Sequence, residues 1–92
     1  MRVTILGSGT AIPARGRFPA GVLVEAADWS MLVDAGPGTL RRLADVGIGL
    51  ERIAAVLLTH YHTDHTADLA ALLFGLRNPR YRGRAALRVL GA

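Results

Sequence analysis

The sequence predicts a layered α/β fold, with three strands at the start and helices interleaved with the later strands. Three observations predict it. Short apolar, β-branched runs at Arg2–Leu6, Gly21–Ala26 and Ile53–Leu58 each end at a turn or a polar cluster, as strands do. Leucines then recur at helical spacing, first around Leu40 and Leu43 and again from Leu69 to Leu76, a period that strands do not have. The resulting order, β-β-β-α-β-α-β, is that of strands and helices packed in layers.

Each element has its own signal. Arg2–Leu6 is stopped by Gly7-Ser8-Gly9, and a loop follows from Thr10 to Ala20, broken by Pro13, Gly16 and Pro19 and carrying Arg15 and Arg17. Gly21–Ala26 and Trp29–Val33 flank the turn residues Ala27-Asp28 and predict a hairpin. From Pro37 the period changes: Leu40, Leu43 and Ala44 face one way, with Arg41, Arg42 and Asp45 on the other side. Proline suits the first helical turn and Gly47 the stop, so a helix is predicted between them. Ile53–Leu58 is apolar throughout and predicts a strand covered on both faces. A second helix is expected from about Asp64 to Leu76, with Leu69, Leu72, Leu73 and Leu76 as its apolar face and Asn78-Pro79 closing it. Ala85–Leu90 reads as a last strand.

Composition narrows the function classes. Half the chain is hydrophobic and a fifth is charged, which is globular rather than disordered. With no cysteine, neither a disulfide framework nor a thiolate metal site can form. The first residues lack the apolar core of a signal peptide, and no run nears the ~18–20 apolar residues of a membrane span. The expectation is a soluble cytoplasmic protein without a membrane partner. The net charge is +4, and every basic residue is arginine. Arg77, Arg80, Arg82, Arg84 and Arg88 make a local excess that reads either as a phosphate-facing patch or, more simply, as a solvated loop.

The chemistry is concentrated in six positions. His60, His62 and His65 are all the histidines of the chain, and Asp64 lies among them. Extended backbone at a strand exit turns His60 and His62 to the same side. Two imidazoles so placed suit zinc, which takes nitrogen ligands in tetrahedral geometry. Asp64 and His65 fall where strand gives way to helix, and that change of direction can aim them at a second site nearby. Carboxylate with imidazole again suits zinc, with manganese or iron as alternatives. Asp64 could instead only cap the helix, but burying four such groups without a cation would cost several kcal/mol.

Thr59-His60-Tyr61-His62-Thr63-Asp64-His65, directly after an apolar strand, resembles the T-H-x-H-x-D-H signature of the metallo-β-lactamase superfamily. The opening MRVTILGSGTAIPARGRFPAGVLVE, the segment LVDAGPGTLRRL and the segment HTADLAALLFGLRNP are similar to the ribonuclease Z-like branch and come in the expected order. The resemblance implies the N-terminal portion of an αββα sandwich, with residues 1–92 as a partial domain. It implies that His60 and His62 ligate one zinc, that Asp64 and His65 ligate a second, and that Asp64 also orients the nucleophile. It further implies that Asp34 supports the histidine loop through hydrogen bonds, although a turn residue before Ala35-Gly36-Pro37 would look the same. The metals would activate a water for attack on a phosphodiester, and precursor tRNA, cut on its 3′ side, would be the partner. Arg15 and Arg17 are candidate phosphate contacts by the same likeness.

The family site also takes further histidines and a bridging carboxylate, and the sequence has no fourth histidine to supply them. Each metal would have two protein ligands here, fewer than the three of a catalytic zinc. The chain is therefore expected to be inactive alone, as a truncated product, a fragmentary gene or one segment of a split protein. A non-catalytic metal-binding or RNA-contacting module is the competing reading, and a homodimer that completes the site is left open. The Gly7-Ser8-Gly9 turn does not make a dinucleotide site, because Ile12 stands at the third glycine position and Pro13 follows where a helix should run.

Overall fold

The computed structural model describes residues 1–91. Five strands form one mixed sheet in chain order: β1 (Arg2–Gly7), β2 (Gly21–Glu25), β3 (Ser30–Val33), β4 (Ile53–Leu58) and β5 (Arg88–Gly91). Two helices, α1 (Thr39–Asp45) and α2 (Thr63–Gly75), lie between the later strands, with 3-10 turns at Leu50–Arg52 and Pro79–Tyr81. The first three strands pair antiparallel and the last three parallel. The connections explain the change. β2 and β3 are joined by a tight turn in which Ala26 N–H donates to Trp29 O at 2.9 Å, whereas a parallel neighbour needs a crossover, and α1 and α2 provide the two crossovers.

Both helices rest on one face of the sheet. Leu23 of β2, Leu32 of β3 and Val56 of β4 are fully buried with Leu43 of α1 and Leu72 of α2 in one cluster. The opposite face is apolar but open. Register places Ile5 opposite Val22, Val22 opposite Val33, Val33 opposite Leu57 and Leu57 opposite Leu90, and Ile5, Leu57 and Leu90 of that row are exposed. The expectation that β4 would be covered on both faces is therefore corrected, because the helices pack only against the Val56 side. Leu73 also leaves the predicted helix face: it is 47% exposed, while Leu69 and Leu76 pack on the core with Leu72.

Two element starts differ from the sequence expectation by two or more residues, for physical reasons. α1 begins at Thr39 rather than at Pro37, because Gly38 has φ 92° and cannot belong to the helix. Gly38 offers no capping side chain, and Asp68 of α2 substitutes for one by accepting the Leu40 N–H at 2.9 Å. The cap thus comes from the other helix. β5 begins at Arg88 rather than Ala85, and the residue before that gap is tied elsewhere: the Arg84 guanidinium donates to the carbonyls of Ile53 and Leu50. Gly47 does end α1, with φ 76° and its N–H on Ala44 O, as expected of a left-handed stop. No helix among the described residues is long and apolar enough to cross a membrane.

The exit of β3 is pinned to the start of α2. Ala35 N–H donates to His65 O at 2.7 Å and Asp68 N–H donates to Ala35 O at 2.9 Å. Gly36 sits so close that a Cβ there would stand 2.2 Å from Asp64 O. Gly36→Ala is expected to lower unfolding free energy by about 1–3 kcal/mol, the usual cost of overpacking, read as a lower urea midpoint. An unchanged midpoint would show that the two segments are not locked together.

Candidate metal centre

The site begins with a backbone conformation. Asp34, the residue after β3, has φ 62°, a left-handed geometry that aspartate tolerates better than most side chains. Its N–H continues the parallel ladder by donating to Leu57 O at 2.8 Å, and the turn sends its carboxylate under the loop that leaves β4. There it accepts three hydrogen bonds. Oδ1 takes the Thr59 N–H at 2.9 Å, and Oδ2 takes the Thr59 hydroxyl at 2.8 Å and His65 Nδ1 at 2.8 Å. Asp34 is 5% exposed, so a buried carboxylate holds both ends of the histidine loop.

The loop itself spans the gap between β4 and α2. His62 remains extended, with φ −63° and ψ 147°, and α2 starts at the next residue. His65 N–H and the Thr66 hydroxyl both bond to His62 O, which closes the first turn from inside the motif. The side chains meet above that turn. The His60 and His65 rings have centroids 4.0 Å apart, and those of His60 and His62 are 4.9 Å apart, edge to face. Asp64 Oδ2 lies 3.5 Å from His65 Nε2. All four sequence-predicted residues therefore share one neighbourhood. Asp64 lies in the first turn of α2, where a carboxylate is favoured, but the helix has no side-chain cap bond at its N-cap.

Two opposing effects act on Asp34. Burial pushes its carboxyl up, but the hydrogen bonds from His65 and from the Thr59 N–H and hydroxyl, with electrostatic attraction to His65, outweigh it and hold the pKa below the ordinary value. The carboxylate is thus the form the fold prefers. In the neutral ring, His65 Nδ1 must carry the proton that Asp34 accepts, which leaves Nε2 with a bare lone pair beside Asp64 Oδ2. Lone pair against carboxylate is repulsive unless a proton, which would leave the ring bonded to Asp34 and Asp64 at once, or a cation lies between them, so these donors are compatible with a metal ion. Among the described residues, however, no group of three or more histidine or acidic side chains is already arranged to hold one. The fit is of donor pairs rather than of a closed cage.

The arginines divide. Arg17 points back into its own loop, where Nη2 donates to Ser8 O at 3.1 Å and to Ser8 Oγ at 2.9 Å. Arg15 stands exposed just before Gly16, which turns with φ 71°. Arg84, counted in the basic cluster, is a backbone clamp on β4, and the Arg80 guanidinium lies 5.6 Å from the Tyr81 ring centroid. The residues that sequence reasoning passed over are Thr59, which bridges Asp34 and the His60 ring with Oγ1 at 3.0 Å from Nδ1, and Asp68, the cross-helix cap. Thr59 was visible in the motif, but nothing in its spacing discloses a hydrogen bond to a residue 25 positions away.

Asp34→Asn tests the carboxylate, since asparagine also tolerates left-handed backbone. Replacing a buried charged acceptor is expected to cost about 1–3 kcal/mol at neutral pH. A depressed pKa stabilises the fold fully above the unfolded value of about 3.9 and loses that contribution as pH falls through the lower folded value. The stability gap between the unaltered chain and the Asp34→Asn chain, from urea melts at several pH values, should be present above about 5 and close as pH falls below about 4. A gap that widened as pH fell below about 4 would reverse the sign of the argument.

Comparison with known proteins agrees with this architecture. The family model described as anti-Pycsar protein Apyc1 matches residues 1–87. A ribonuclease Z of Mycolicibacterium gilvum is 48% identical over 73 residues, covering 79% of this chain and 26% of the relative. The metallo-β-lactamase fold protein YhfI of Bacillus subtilis superposes with a TM-score of 0.85 at 34% identity, over 97% of this chain and 37% of that one. The short form of human tRNase Z gives a TM-score of 0.72 at 35% identity, over 77% of this chain and 27% of that one. The chain thus spans about a quarter to a third of the length of the curated relatives it matches. By family model the chain belongs to the Apyc1 family, and by relatives and fold it is a ribonuclease Z-like member of the metallo-β-lactamase superfamily.

Proposed function

We propose that this chain supplies the histidine-loop half of a dinuclear zinc site in a ribonuclease Z-like phosphodiesterase, acting in the cytoplasm on the 3′ side of precursor tRNA. The observation that carries the reading is the meeting of His60, His62, His65 and Asp64 at the start of α2, above the buried Asp34 carboxylate. His60 with His62 would hold one ion, and Asp64 with His65 the other. When bound, such ions supply Lewis acidity and a water activated near neutral pH. Manganese or iron would suit the same donors with less preference. The ribonuclease Z names of the curated relatives support an RNA substrate.

The chain's own residues do the positioning. Asp34 fixes the direction of the His65 ring, and Asp64, alongside it, is the group placed to orient a nucleophile. The exposed Arg15 is the better placed of the two loop arginines to meet a phosphate, whereas Arg17 braces the loop through Ser8. That no three donors are already arranged around one point among the described residues favours the second reading, a non-catalytic metal-binding or RNA-contacting module, for the chain by itself. The two readings separate on activity and agree on metal.

Zinc titration against a competing chelator is expected to show weak binding by the isolated chain, with His62→Ala weakening it by about tenfold or more, the scale of losing one ligand interaction. No turnover of precursor tRNA or of a simple phosphodiester by the isolated chain is expected. Tight stoichiometric zinc retained equally by the His62→Ala chain would remove the site assignment. Turnover by the isolated chain that His62→Ala abolishes would instead show that the site is sufficient as it stands.

A further inference from the structure

Thr59 occupies an unusual position between two groups that both need a proton settled. Its hydroxyl has one hydrogen to donate and lone pairs to accept with. On one side, Oγ1 is 2.8 Å from Asp34 Oδ2. On the other, it is 3.0 Å from His60 Nδ1. A carboxylate can only accept, so the hydroxyl proton goes to Asp34. What remains facing His60 is a lone pair.

We propose that Thr59 is a positioning residue that fixes the tautomer of His60, holding its proton on Nδ1 and presenting a bare Nε2 to the metal. Count of hydrogens leaves no other arrangement of a neutral ring in which both contacts of the hydroxyl are hydrogen bonds. A ring protonated at Nε2 would turn its Nδ1 lone pair toward the lone pair of the hydroxyl, losing the bond and adding repulsion. The same carboxylate oxygen takes His65 Nδ1 directly at 2.8 Å. One oxygen of Asp34 thereby sets two imidazoles alike, His65 by contact and His60 through a hydroxyl. The rings lie 4.0 Å apart at their centroids with their planes tilted by 52°, so the two imidazoles set by this one oxygen are immediate neighbours. Partners of this kind orient ligand rings in metal sites, and removing one typically costs roughly 10–100-fold in metal affinity.

The residue type follows from the role. A hydroxyl is required, which Ser also provides, while the β-branch of Thr restricts rotation about χ1 and keeps the bridge in place. Thr59 holds Asp34 Oδ1 through its backbone N–H as well, at 2.9 Å. Thr59→Ser and Thr59→Val both keep that backbone donor, so the loop retains this anchor when the hydroxyl is removed.

The tautomer matters functionally only if the metal reading holds, but it can be measured without it. In the chain carrying 15N-labelled histidine, at a pH where the rings are neutral, two-bond nitrogen–proton couplings report which ring nitrogen is protonated. His60 is expected to be protonated at Nδ1 in the unaltered chain and in Thr59→Ser, and to shift toward Nε2–H in Thr59→Val. Zinc affinity, measured by chelator competition, is expected to fall about tenfold in Thr59→Val and to stay close to the unaltered value in Thr59→Ser. His60 protonated at Nε2 in the unaltered chain, or a tautomer that Thr59→Val leaves unchanged, overturns the proposal. His60→Ala binding zinc as tightly as the unaltered chain would remove the metal reading instead, and the couplings would still decide the tautomer.

Discussion

The carboxylate of Asp34 is the point on which the arrangement turns. It sits at the exit of β3 in a left-handed conformation and reaches across to the exit of the neighbouring parallel strand β4 and to the first turn of α2. Strain of that backbone kind costs on the order of 1–3 kcal/mol and persists only where the surroundings over-determine it. Here they do. The Asp34 N–H is committed to Leu57 O, and the carboxylate accepts three bonds from two segments. A buried carboxylate with fewer donors would be costly, so the loop and the aspartate stabilise each other's conformations.

That mutual dependence extends beyond one residue. Ala35 and Gly36 continue from Asp34 and meet α2 backbone to backbone, at His65 O, at the Asp68 N–H and against Asp64 O. Asp68 then reaches from α2 to the unsatisfied N–H at the start of α1. The crossovers are thus coupled to each other through the same few residues that position the histidines. A shift of α2 would lengthen bonds to Ala35, to Asp34 and to Leu40 together. The site gains its rigidity from this coupling rather than from deep burial, since His62 remains exposed.

The layer order and most boundaries were legible in the sequence because they rest on local signals. β-branched runs, the change of period after Pro37 and the stop at Gly47 each act within a few residues. The histidine cluster was legible for the same reason: its members are neighbours in the chain. What was not legible depends on pairing at a distance. Asp34 could be read as a turn residue or as a support, and its hydrogen bonds to Thr59, 25 positions away, are visible in neither reading. Asp68 carried no signal for capping a helix that lies 28 positions earlier at Leu40. Arg84 belonged to a run of arginines and is distinguished from them by its bonds to Ile53 and Leu50 carbonyls. The one-sided cover of β4 escaped as well, since an unbroken apolar run does not say whether its second face is filled.

The donor cluster and the open sheet face are linked by energetics. A chain of this size buries a modest fraction of its surface, and here one apolar face of the sheet, with Val3, Ile5, Leu57 and Leu90, contributes little to that burial. Meanwhile three imidazoles and Asp64 are gathered in one place, with Nε2 of His65 turned toward a carboxylate oxygen, a contact that is repulsive while the ring is neutral. A cation between those donors would turn that repulsion into attraction, and because the pairs exist only when β3, β4 and α2 are assembled, its binding energy would count as folding energy. Stability and metal binding of this chain would then not be separable quantities. The Asp34 carboxyl, whose pKa the fold holds below its ordinary value, is the group that ties β3 to both Thr59 and His65.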